Sequence, residues 1–392
     1  MPTLRDVLEA AIVENPDDLA AHMAYADHLH DLGDPRGELI QVQLALDDAS
    51  RPAEERRRLQ AREKELLKGL ADAIVGKGLV AVRALDPHHG IGLRTKIARG
   101  WLDDVEVASL AEALSVELAC APEARLLRRL AVLYLLREEF RPPEEKDVVA
   151  LLTGTDNLRN LRVLHLGQTD GFRADQGEPI VYNSRWDLYQ AGDPIWDWIA
   201  RLPRLEELYL ECFTLRTERL FGMESLGNLR ILQVNLSTDY PLVALGRNRA
   251  LTNLTHLSFH PAAAHTDEGD GAFLSVEQLT GIARSPHLKK LTHLRFQRSD
   301  AGDTGVRVLI ESGLLKRLKF LDLAMGEVTD EGAGLLAEAD LGGLEYLDLR
   351  ANALSQEGQR RLGQAVGKKL ALRTDNQHAE DDQDWLTYGE ME

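Results

Sequence analysis

The sequence predicts a mixed α/β protein: a small all-α domain followed by a solenoid of strand–helix repeats, with parallel strands on its concave face and helices outside. Three observations predict this. Amphipathic helix patterns with start and stop residues fill residues 1 to 75, and from residue 161 one six-residue strand pattern recurs seven times. Helix starts led by Thr or Ser and followed by acids come after each of the last two of those strands.

The helical domain can be read turn by turn. Leu4, Val7, Leu8, Ala11 and Ile12 repeat at i, i+3, i+4, i+7 and i+8, one face of a helix. Thr3 is placed to cap that helix, with Asp6 in its first turn. "NPDD" opens a second helix, with Asn15 as expected N-cap and Pro16 at the first helical position. Leu19, Met23, Ala26 and Leu29 are its expected buried stripe, and His22, His28 and His30 are expected to be solvated. In "DLGDPRGE" (31–38), Gly33 stops the helix in a left-handed conformation, while Asp34 and Pro35 start the next one, "RGELIQVQLAL". A fourth helix, "AEERRRLQAREKELLKGLADAIV", is largely charged, with one apolar edge.

The acidic corner raises the question of a bound cation. Helix punctuation explains Gly33, Asp34 and Pro35 without a ligand, Asp31 and Glu38 read as solvated helix ends, and Asp27 and Arg36 are expected to pair. The stretch Tyr25 to Leu46, "YADHLHDLGDPRGELIQVQLAL", resembles the small helical repeat-companion domain of bacterial proteins. Tyr25, Ala26, Asp27, Leu29, Gly33, Asp34, Pro35, Arg36, Gly37, Glu38 and Gln43 carry the likeness; His28 departs from it, standing where that family usually has tryptophan. The resemblance implies no activity, but it implies that a repeat array follows.

The array shows itself independently. "LRVLHL" (161), "LEELYL" (205), "LRILQV" (229), "LTHLSF" (254), "LTHLRF" (291), "LKFLDL" (318) and "LEYLDL" (344) share LxxLxL, at steps of 44, 24, 25, 37, 27 and 26 residues. Four of these steps fit the period of a leucine-rich-repeat solenoid. "LAVLYL" at 130 reads as an earlier member, and "GWLDDVEV" as a strand of the capping region. Thr329 with Glu331, and Ser355 with Glu357, mark outer helices that resemble the ribonuclease-inhibitor-like subclass. That family stacks asparagines after its strands; here the positions are Thr169, Phe213, Ser237, Ala262, Ser299, Gly326 and Asn352, so an irregular turn edge is expected. The expected organisation is a helical domain at 1–75, a capping region at 76–128, repeats at 129–374 with insertions near 171–203 and 260–279, and an acidic tail at 375–392. "PIWDWIARL" in the first insertion reads as an outer helix with buried tryptophans.

Because side chains alternate along a strand, residues flanking the strand leucines face away from the core. Tyr209, His256, His293, Arg295, Phe320 and Tyr346 are the expected partner contacts. Tyr182, Arg185, Trp186 and Tyr189 form a candidate recognition loop. His256, His260 and His293 cluster, but nothing completes a metal set, and they are expected to make a pH-sensitive protein contact. No catalytic motif, cofactor site or metal site is expected.

The functional expectation is therefore a non-catalytic scaffold or adaptor that binds a protein partner on the concave face. The alternative is an enzyme or a regulator of a nucleotide hydrolase with a site between the helical domain and the solenoid, and a third reading is self-assembly through the helical domain. The 64 acidic and 46 basic residues, net charge −18, disfavour nucleic acid and anionic membranes and favour a partner with a basic patch. Two cysteines, Cys120 and Cys212, exclude a disulfide framework. With no signal-like or membrane-length apolar run, a cytoplasmic monomer is expected.

Overall fold

The computed structural model describes residues 2–89, 93–109, 112–134, 151–167, 194–211, 217–235, 240–261, 274–367 and 369–377. The chain divides into two compact units, Met1–His165 with Asp197–Leu205, and Leu166–Trp196 with Glu206–Glu392.

The first unit opens with helices α1 (Leu4–Glu14), α2 (Leu19–Asp31), α3 (Arg36–Asp47), α4 (Ala53–Val75) and α5 (Lys77–His89). Thr3 caps α1, as the sequence predicts, and Asp6 accepts in return from the Thr3 N–H, completing a capping box. The start of α2 lies later than predicted. Asp18, not Asn15, is the cap, its Oδ1 accepting from the N–H groups of Ala20 and Ala21. The expected buried stripes hold only at their C-terminal ends. Leu4 and Val7 are 60% and 52% exposed, and Leu19 and Met23 are 52% and 42% exposed. The core keeps Ile12, Ala26 and Leu29 of the expected stripes, with Leu8 packed against it, and adds Tyr25 from α2 together with Ile40, Trp101 and Leu126. His22 is buried rather than solvated, because its Nε2–H donates to the Pro16 carbonyl at 3.0 Å.

The acidic corner is consumed by structure. Gly33 ends α2 at φ +71°, and Asp34 Oδ1 accepts from the Arg36 N–H at 2.9 Å. A side chain on Gly37 would place its Cβ 2.5 Å from the Ala26 carbonyl oxygen, so glycine lets α3 cross α2 closely. The expected Asp27–Arg36 pair does not form. Arg36 instead donates to the Gly100 carbonyl at 2.8 Å and lies 4.2 Å over the Trp101 ring, while Asp27 accepts from Gln41. Glu38 is no bare helix end, since both its oxygens accept from Arg62 at 2.7 Å.

What Arg36 holds is a hairpin. Strands β1 (Arg94–Ala98) and β2 (Trp101–Ser109) pair antiparallel across Arg99 and Gly100, both at positive φ, as a tight hairpin turn requires. Gln43 clamps the same turn, accepting from Gly100 N–H at 2.7 Å and donating to the Ile97 carbonyl at 3.1 Å. Helix α6 (Glu112–Cys120) then leads to β3 (Arg129–Tyr134), parallel to β2, and β4 spans Val163–Leu166. The repeat expected at 130 starts three residues earlier. The N–H groups of Arg162 and Val163 reach the Arg128 carbonyl, Val105 and Val107 pair with Leu130 and Val132, and Leu127, Leu130 and Val132 are all buried. Leu102, Val105 and Val107 give β2 the same pattern.

The second unit carries β5 (Glu207–Glu211), β6 (Ile231–Asn235), β7 (His256–His260), β8 (His293–Phe296), β9 (Phe320–Asp322), β10 (Tyr346–Asp348) and β11 (Ala371–Arg373). Each pairs in parallel with the next. The last two LxxLxL residues are buried in every repeat, from Leu208 and Leu210 to Leu347 and Leu349. Burying each such side chain contributes on the order of 1.5–3 kcal/mol. Helices cover these strands: Gly302–Glu311, Asp330–Glu338 and Gln356–Ala365 among them. Their starts are linked across repeats. Asp303 accepts from the N–H and hydroxyl of Thr329, and Asp330 accepts from the N–H and hydroxyl of Ser355, at 2.6–2.9 Å.

The turn edge is partly regular. Arg298, Met325, Ala351 and Asn376 all take positive φ just after their strands. Asn352 then accepts from Gly326 and Val328 N–H and donates to the Leu323 carbonyl. Gln377 does the same one repeat later, accepting from Leu354 N–H and donating to the Leu349 carbonyl. The expected recognition loop, the tail beyond 377, Cys212, and turn positions Thr169, Phe213, Ser237 and Ala262 lie outside the described residues. Trp196 and Trp198 sit buried on the helix Pro194–Ala200, in agreement with the sequence reading.

Candidate functional site

Parallel, in-register strands lie about 4.8 Å apart, so equivalent residues of successive repeats stack. The pairing aligns Ile231, His256, His293, Phe320, Tyr346 and Ala371 in one row. Four of these form a continuous ladder of rings. His256 and His293 stack with centroids 3.9 Å apart and planes 15° off parallel. His293 to Phe320 is 6.1 Å and Phe320 to Tyr346 is 4.6 Å, again nearly parallel. Each aromatic contact of this kind contributes roughly 0.5–1.5 kcal/mol beyond area burial.

Hydrogen bonds pin the ladder. Thr255 Oγ1 lies 2.8 Å from His256 Nδ1, and Thr292 Oγ1 lies 2.9 Å from His293 Nδ1. Tyr346 donates its hydroxyl to Asp348 Oδ2 at 2.9 Å. Both imidazoles are half-buried, which holds their pKa below the ordinary value; His256 is driven to about 4, by burial first and by His293 second. With both held below the ordinary 6.5, the two imidazoles are mainly neutral at pH 7. Burial, helped by the Asp348 carboxylate, pushes the Tyr346 phenol up to about 12.

A second row lies beside the first. Asp322 is 1% exposed and accepts from Arg295 Nε at 2.9 Å, Gln297 Nε2 at 2.7 Å and Ala324 N–H at 3.0 Å. Burial raises its pKa, and the neighbouring Asp348 adds to that, while Arg295 opposes both. Gln297 in turn faces His260 Nδ1 at 2.6 Å. Asp348 is fully buried and held by Arg350, with contacts of 2.8–3.0 Å. Arg295 also lies 5.7 Å over the Phe320 ring. Breaking such a buried pair by removing one partner costs on the order of 3–5 kcal/mol.

The structure brings together five of the six residues singled out from sequence. His256, His293 and Tyr346 are half-buried, Arg295 is 19% exposed, and Phe320 is buried at 2% exposure between its ring neighbours. Tyr209 lies in the second row of β5, donating its hydroxyl to Glu207 at 2.9 Å. Sequence reasoning missed the threonines and the Asp322 and Asp348 anchors. The repeated tetrapeptide "LTHL" at 254 and 291 is the signal that could have found the former. Among the described residues, no group of three or more His, Cys, Asp or Glu is arranged to hold a metal ion.

No family model matches the chain, and no curated protein matches it. Among solved structures, it is similar to a protein from Bacteroides fragilis, with 16% identity, a TM-score of 0.46, and 70% of this chain and 76% of that one covered. It is also similar to an internalin from Listeria monocytogenes, with 15% identity, a TM-score of 0.36, and 83% and 95% covered. At those scores neither likeness bears on function. No helix among the described residues is long and apolar enough to cross a membrane.

Proposed function

We propose that this protein is a non-catalytic interaction scaffold of the leucine-rich-repeat kind, which binds a protein partner on the concave face formed by its strands. The ladder His256–His293–Phe320–Tyr346 carries this reading. Its side chains are already stacked and pinned, so little conformational freedom is lost when a partner docks. Aromatic and arginine side chains are also the types that most often anchor interfaces. Tyr209, His256, His293, Arg295 and Tyr346 are the proposed contacts, and Phe320 is the buried rung that holds the rings in line.

Affinity capture from the native cell tests this. The intact chain should retain a protein that a His256→Ala/Arg295→Ala/Tyr346→Ala variant loses, with both baits folded by circular dichroism. Unchanged capture by the variant would remove the ladder from the binding surface.

A further inference from the structure

We infer that residues 1–75 are the N-terminal cap of the repeat array, on which strands β1 to β3 depend for their fold, and that Tyr25, Arg36 and Gln43 form the socket for its first turn. This goes beyond the binding reading above and gives the helical domain a separate task.

The end of a strand stack leaves an open edge and an uncovered core, which must be closed. Among the described residues, β1 pairs only with β2 and ends the sheet on this side. The helical domain meets that edge at its turn, chiefly through main-chain groups. Gln43 accepts from the Gly100 N–H and donates to the Ile97 carbonyl, while Arg36 donates to the Gly100 carbonyl. Arg99 reaches back to the Asp47 carboxylate at 3.0 Å. Gly100 stands at φ +73°, and a Cβ there would lie 2.4 Å from Ile40 Cγ1, so the socket is shaped for glycine. The Trp101 ring that follows stacks on Tyr25 at 5.5 Å, with the Arg36 guanidinium over it.

The dependence runs both ways. One apolar core joins Ile12, Tyr25, Leu29 and Ile40 of the helices to Trp101 of β2 and Leu126 before β3. Helix α1 has no basic residue in its last turn, and the repeats supply what that end lacks. Arg125 pairs with Glu9 at 3.1 Å, Arg159 with Glu14, and Arg162 with Asp17. Asn160 donates to the Val13 carbonyl at 3.0 Å, and Arg204 to the Glu14 carbonyl at 2.6 Å.

Amide hydrogen exchange of the full chain tests this. Arg36→Ala/Gln43→Ala should speed exchange about tenfold in residues 94–109 and 129–134, and leave 293–296, 320–322 and 346–348 at the wild-type rate. The reciprocal variant Gly100→Ala, which alters the array alone, should speed exchange in residues 19–47 by a similar factor. Should the first variant fail to fold, Gln43→Ala alone gives the same reading in milder form. Wild-type protection of residues 94–109 and 129–134 in the signature variants, or of residues 19–47 in Gly100→Ala, would make the helical domain an independent module and overturn the inference. None of these substitutions lies on β7 to β10, so the outcome is separate from that of the binding face.

Discussion

Two regions of this chain invite opposite first impressions. The corner at residues 31–38 is crowded with acids, glycine and arginine, yet Asp34 caps the start of α3, Arg36 holds the β1–β2 hairpin and Glu38 ties α3 to α4. The strands at 254–259 and 291–296 carry their histidines 37 residues apart in sequence, yet they place two imidazoles 3.9 Å apart. What separates the regions is periodicity. A cluster along one stretch of chain tends to satisfy itself, whereas one residue per repeat gains meaning only when strands stack it.

The sharpest way to break this contrast is at Phe320. Replacing it with alanine should cost about 3–5 kcal/mol in urea unfolding of the second unit and separate the rings on either side. A loss under about 1 kcal/mol would mean the ladder is not a packed element. Asn352→Ala should cost roughly 1–3 kcal/mol, since Gly326 and Val328 N–H would lose their acceptor. Gly37→Ala should cost about 1–3 kcal/mol, because the new Cβ meets the backbone of α2. In the same corner, calcium or magnesium titration should give no saturable heat; a tight isotherm abolished by Asp34→Ala would restore the cation site.

Acid response offers a subtler comparison. His256 has a folded pKa of about 4 against an ordinary 6.5, so the unfolded chain takes up the proton first. Its contribution to stability is present above pH 6.5 and is lost as pH falls toward 4. The difference in urea midpoint between wild type and His256→Phe should change across that window, and a constant difference would contradict the buried neutral ring. The smallest expected effect is a gain: Ala351 sits at φ +50°, so Ala351→Gly should stabilise by about 1 kcal/mol.

Much of this was legible in the sequence. The bounds of α4, the Thr3 cap of α1 and the rows of strand residues follow from periodicity and capping chemistry. What escaped did so for physical reasons. Strand β1 buries one residue at Ile97, too few for an alternation signal. Strand β11 has Lys369 two residues before Ala371, where LxxLxL places its first leucine. Around 126–135 leucine occurs so densely that several frames fit, and the pairing of Val105 with Leu130 and Val107 with Val132 selects one. In α1 and α2 the apolar stripe was visible, but which edge meets Trp101 depends on a residue some 70 positions away in sequence.

The linked helix starts have an evolutionary consequence. Asp303 serves Thr329 as Asp330 serves Ser355, and in both cases the third residue after the hydroxyl is glycine, Gly332 or Gly358. Removing residues 329–354 would bring Ser355 and Gly358 to Asp303, a set of the same chemistry. Each junction therefore carries interchangeable fittings, so this part of the chain can lengthen or shorten by whole units through duplication or loss of a gene segment, with no new joint to invent.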